Sequence, residues 1–227
     1  MTFTQDLVLC LSMAVAFVAA GFTLAHMYRA ERAMQRTGGP GLLPFERAES
    51  AREVDRYLRT WGPVGRAAVR RSLRWNHGFL AASVVLFVAA ALHVAGQADA
   101  AGYRLLVVVE VVAAGAAVLA GGAGVVENIM LRRTLTAHDE ICGRKTTEPI
   151  RYATTTAAGG ARITRIRRAA AWKFNLTGGV AAVVLTGFGI VELSGRPTPA
   201  GPVLSLFAGV AVAAATFVTL VLRRRSS

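Results

Sequence analysis

Cysteine is scarce in this chain: only Cys10 and Cys142 occur in 227 residues. They fall in segments read below as lying in different compartments, so no disulfide is expected. There is no C-x-x-C pair, no Walker loop, no G-x-S-x-G and no H-E-x-x-H, which excludes the nucleotide hydrolases, serine hydrolases and zinc proteases that carry those motifs. HDEIC (His138–Cys142) gathers four ligand types but lacks the paired spacing of a zinc site, and it reads as a solvated loop. Neither a metal nor a cofactor is expected. Lysine is nearly absent too, leaving arginine to supply almost all of the 26 Lys+Arg. That bias, with abundant Ala, Gly and Val, points to a GC-rich bacterial genome.

Apolar residues are what the chain has in plenty. They make up 54% of it, with a mean hydropathy of +0.46, and they fall in five blocks: Leu7–Met27, His77–Gln97, Tyr103–Met130, Trp172–Leu193 and Pro202–Leu222. Each has roughly 20 residues or more, enough to cross ~30 Å of hydrocarbon as helix. The expected fold is an all-α integral membrane protein with five transmembrane helices.

Charge fixes the expected orientation. Arginine and lysine crowd the stretches 28–76 and 131–173 and the tail Arg223-Arg224-Arg225, leaving only Arg104 and Arg196 for the short connections. By the positive-inside rule the N-terminus is outside and the C-terminus inside. MTFTQD carries no positive charge and the first block is followed by Arg29, Arg32 and Arg36, so that block is expected to stay as a membrane helix and not to be a cleaved signal. The net charge of +13 then belongs to the cytoplasmic face of a bacterial inner membrane. There it orients the protein and attracts anionic headgroups. Arg70, Arg71, Arg167 and Arg168 are the expected contacts with lipid or a partner. No aromatic interleaving or helix-turn-helix accompanies the arginines, which argues against nucleic acid.

The chain divides accordingly: 1–27, first membrane helix; 28–76, basic segment; 77–130, helix hairpin; 131–171, second basic segment; 172–227, second hairpin and tail. In the first basic segment RTGGPGLLP (Arg36–Pro44) reads as a loop. Val54, Tyr57, Leu58 and Trp61 share one helical face, predicting an amphipathic helix over Glu46–Thr60, on the inner leaflet or a partner, ended by Gly62-Pro63. RYLRTWGPVGRAAVRRSLRW (Arg56–Trp75) and RYATTTAAGGARITRIRRAAAW (Arg151–Trp172) begin and end alike, each before a hairpin. That is the pattern of a parallel duplication, although Arg and Trp gather at any inner interface.

Small residues recur in the third block, Ala113, Ala117 and Gly121 in one row and Ala116, Ala120 and Gly124 in another. Such rows let helices approach closely and predict a central helix. That helix also carries Glu110, about 10 Å from its outer end, and Glu127 about 25 Å further along and roughly 100° around. The two cannot form one catalytic carboxylate pair. An intramembrane charge is costly, so Glu110 must be protonated, paired or in contact with water; His93 and Arg104 are its expected partners. With Glu192 they form an outer polar site. An inner cluster comprises Glu127, Asn128, His26, His77 and Lys173, with Asn76 beside it; Arg132 and Arg133 are the expected partners of Glu127. His26 and His77 lie at similar depth, as bis-His haem ligation would need, but the small residues that line such sites are few. An interhelical hydrogen bond is the plainer reading for each polar residue.

Three functions fit these features. A transport or permeation protein would use Glu110 for a proton, cation or small solute; a non-enzymatic subunit or scaffold would hold a partner or anionic lipid on its basic arms; and a membrane enzyme would act on a lipid or isoprenoid. Five helices are few for a transporter acting alone, which favours a homo-oligomer or a partner subunit.

Overall fold

The computed structural model of the protein describes residues 3–46, 48, 50–143 and 157–193. Their secondary structure is helical: α1 (Phe3–Arg36), α2 (Leu42–Glu46), α3 (Ala51–Ala100), α4 (Arg104–Gly143) and α5 (Ala157–Leu193). The fifth apolar block, Arg196 and the arginine tail lie outside the described residues, so of the second suspected repeat only 157–193 is described.

Four helices are long and apolar enough to cross a membrane, over Thr4–Arg36, Arg52–Ala100, Arg104–Glu140 and Asn175–Glu192. Much of their apolar surface faces outward. Leu11, Val15 and Val18 of α1 and Val112, Val118 and Leu119 of α4 are all more than half exposed, an arrangement that suits lipid and not water.

The helices also outrun a bilayer. α3 has 50 residues, about 75 Å at 1.5 Å per residue. The basic segments are therefore continuations of the membrane helices over much of their length, not separate arms. One end of the bundle holds the tight turn at Ala101–Tyr103, where Gly102 takes a φ of 83°. The other, basic end holds the C-termini of α1 and α4 and the N-termini of α3 and α5.

The predicted amphipathic helix exists with shifted bounds. It starts at Ala51, where the Ser50 side chain accepts a hydrogen bond from the Glu53 N–H, as an N-cap does. Glu46 belongs instead to α2. Gly62-Pro63 does not end α3 but kinks it. Gly62 leaves the helical path (φ 56°, ψ −169°), and Pro63, which needs no N–H partner at a helix start, resumes it. The apolar face lies on neither a leaflet nor a foreign partner. Val54, Leu58 and Trp61 are buried in a core with Met34, Leu42, Phe45, Leu131 and Leu135. The Trp61 indole donates to the Pro40 carbonyl at 2.6 Å, and its ring fills the space that side chains at Gly39 and Gly65 would need.

The central helix is α3, not α4. It packs against α1, α4 and α5, and 44% of its most apolar stretch is buried against 28% for α4. The small rows of α4 do their expected work: Ala113, Ala117 and Ala120 are buried, and Gly121 lies against Val84 and Gly124 against Leu80. These contacts occupy one side of α4 while its valines cover the other. Small residues report close approach, which is not the same as being surrounded.

Two buried carboxylates on one helix as the candidate functional site

α4 carries both Glu110 and Glu127 with no exposed surface. Glu110 lies six residues into α4 from the turn end, about 9 Å along the helix. Its carboxylate occupies a notch in α5: a side chain added at Gly187 would collide with Glu110 Oε1 and crowd Val94. Neither oxygen of Glu110 has a hydrogen-bond partner among the described residues. Removing a polar group from water without replacing its hydrogen bonds costs roughly 1–3 kcal/mol by protein mutational data, and a bare charge far more. The position is therefore one that folding alone does not favour.

The expected partners of Glu110 lie elsewhere. Arg104 is exposed; six residues away on one helix, it projects about 240° around from Glu110. His93 is level with Glu110 across the hairpin but is 3.7 Å from Asp6 of α1 through Nδ1. Neither ring nitrogen of His93 has a hydrogen bond among the described residues, and neither does Asp6 Oδ1. Glu192 is half-buried near the end of α5. The expected outer site thus resolves into Glu110 facing α5 and His93 facing α1. The sequence reading missed Asp6, which sits at the very start of an apolar helix, and also Gly187, one of several glycines with nothing to single it out.

The inner cluster does gather. Lys173 Nζ donates to Glu127 Oε2 at 2.5 Å and is 4.0 Å from Glu46 Oε2, so one ammonium joins α5, α4 and α2. Glu127 Oε1 has no partner among the described residues. Arg132 and Arg133, expected to neutralise Glu127, are exposed; five and six residues along a helix they point away, where only three or four would reach. Asn76 Nδ2 donates to Asn128 Oδ1 at 2.8 Å, and Asn128 Nδ2 lies 3.4 Å from His77 Nδ1, which also sits 2.7 Å from the Leu73 carbonyl. The His26 ring stacks on Trp75, centroids 4.2 Å apart. The two histidines thus engage different neighbours, and their arrangement is not that of a bis-His haem pair.

HDEIC is helical, not a loop. His138 is buried, with Nδ1 3.7 Å from Asp55, and Asp139 takes Arg66 at 2.7 Å and also Arg70. Arg70 is thereby engaged within the chain, leaving Arg71 exposed beside it; Arg167 and Arg168 lie on α5 in the basic end. No group of three His, Cys, Asp or Glu residues that could hold a metal ion occurs among the described residues.

The two buried carboxylates of α4 contrast: Glu127 has its lysine, and Glu110 has no hydrogen-bond partner among the described residues. No protein family, curated protein or solved structure matches this chain. The function must therefore be argued from the site alone.

Proposed function

We propose that the protein is a small integral membrane protein of transport or permeation type, in which Glu110 handles a proton, cation or small solute. It sits in a bacterial inner membrane with its N-terminus outside and its basic end in the cytoplasm. Pro202–Leu222 supplies a fifth crossing, and the working form is a homo-oligomer or includes a partner subunit. The observation that carries this reading is the buried carboxylate of Glu110, held against Gly187 with no hydrogen-bond partner among the described residues. Polar groups kept at membrane depth mark ion and substrate pathways. The test is reconstitution into lipid vesicles with a panel of monovalent ions and protons under an imposed potential, alongside native mass spectrometry for assembly state. Flux of at least one species that Glu110→Gln abolishes supports the proposal; flux indifferent to that change, or absent for every species, overturns it.

A second reading has its own support. Arg71, Arg74, Arg132 and Arg133 are exposed at the basic end, while the nearby Asp139 is occupied by Arg66 and Arg70. Four exposed guanidinium groups near the inner apolar boundary suit anionic headgroups or an acidic partner. In a scaffold of this kind, neutralising Arg71 and Arg74 would abolish function and Glu110→Gln would not.

A further inference from the structure

We propose that the species carried is the proton, and that it moves along the seam where α4 meets α5 and α3, from Glu110 past a small internal void to Glu127 and Lys173. The proposal rests on the transport reading above and adds its cargo and route.

The seam is set by the antiparallel register of α4 and α5. Glu110 meets Gly187 at one level. Ala117, Ala120 and Gly121 face Thr177 and Val180 at the next, and Ser83 with the apolar Leu80, Val84 and Phe87 of α3 completes the lining of a void of about 30 Å³. Glu127 meets Lys173 at the third. Residue numbers rise along α4 as they fall along α5, so the three features lie in order along one helix contact.

The choice of cargo follows from ligand chemistry. A metal cation stripped of water needs several oxygen ligands. Glu110 offers one carboxylate beside Val94 and the Gly187 backbone, and no metal-capable cluster exists among the described residues. A proton needs only one carboxylate oxygen.

The void gives the route a waypoint. At the ~10–15 Å³ that one water requires, it has room for about two. The hydroxyls of Ser83 and Thr177 can each donate and accept. From Glu110 to the void and from the void to Glu127 the rise along α4 is about 10 Å each, which about three waters at ~2.8 Å spacing would bridge. Ala113 and Ala117 are buried and Gly121 packs against Val84, so the route requires the helices to part transiently to admit these waters. In the transfer, Glu110 takes a proton at one carboxylate oxygen, releases it to the water file and returns to carboxylate. Glu127 accepts through Oε1, the oxygen that Lys173 leaves unoccupied. The Lys173 ammonium repels a second positive charge held there, and the proton passes to water at the basic end.

The test uses vesicles loaded with a pH-sensitive dye, with sodium- and potassium-sensitive dyes in parallel. The proteins are the full chain, Glu110→Gln, Thr177→Val, Ser83→Ala and the Ser83→Ala/Thr177→Val double variant, each checked for monodisperse assembly. The proposal expects proton flux without sodium or potassium flux, and at least a tenfold loss in the double variant. Sodium or potassium flux that Glu110→Gln abolishes would overturn the proton assignment and leave the transport reading intact. Proton flux that Glu110→Gln abolishes but the double variant does not change would overturn the seam route alone. No flux of any ion would bring down the transport reading and this proposal together.

Discussion

Glu110 and Glu127 share a helix, a chemistry and complete burial, yet their surroundings differ in kind. Glu127 is held by Lys173, which also approaches Glu46, so its charge is compensated and it ties three helices together. Glu110 has a glycine notch and no hydrogen bond among the described residues. The first is what a structural ion pair looks like; the second is a polar group that packing tolerates only because space was cleared for it. The difference teaches that burial by itself does not mark a functional residue. Burial without compensation is the feature on which the proposed role of Glu110 rests.

The sharpest way to break the comparison is to make Glu127 resemble Glu110. Lys173→Met leaves a buried carboxylate without its ammonium and should cost about 3 kcal/mol, read as a lowered unfolding midpoint in detergent. Adding Glu127→Gln removes the stranded charge and should restore most of the loss; a double variant no better than the single would show that Lys173 acts through Glu46 instead.

Closing the notch comes next. Gly187→Ala collides with Glu110, and overpacking of this kind should cost about 1–3 kcal/mol. Combining it with Glu110→Ala opens the space again, so the pair should be markedly non-additive in thermal melts. Additive losses would mean that Gly187 matters for helix approach and not for the carboxylate.

A smaller effect is expected at Asn128, whose bond to Asn76 joins α4 to α3. Interhelical hydrogen bonds in membranes average about 0.6 kcal/mol, so Asn128→Ala should shift the midpoint only slightly. A shift as large as that of Lys173→Met would make this bond, and not the ion pair, the main polar tie at that level.

How much of this was legible depended on whether the signal was local. Hydropathy blocks marked the four described membrane-length helices, and the spacing of Val54, Leu58 and Trp61 marked a buried face, because side-chain period is written along the chain. What that face packs against was not legible, since Leu42, Phe45 and Leu135 reach it only through the tertiary fold. Gly62-Pro63 read as a stop because Pro cannot sit inside a helix, but it can begin one, and the chain uses it to restart α3. Lys173 and Glu127 were both placed in the inner cluster; their direct pairing was obscured by the nearer arginines, which helix geometry turns away. Asp6 beside His93, and Gly187 beneath Glu110, depend on which helix lies against which, and no spacing in the sequence encodes that.

The central claim is that Glu110 is kept for what it does and not for what it holds. The most direct measurement takes proton flux and unfolding midpoint together on purified Glu110→Gln, reconstituted beside the unaltered protein. The account predicts that flux disappears while the midpoint stays level or rises, since no hydrogen bond to Glu110 among the described residues is lost. Flux that persists with a midpoint several degrees lower would contradict it and make Glu110 a structural residue like Glu127.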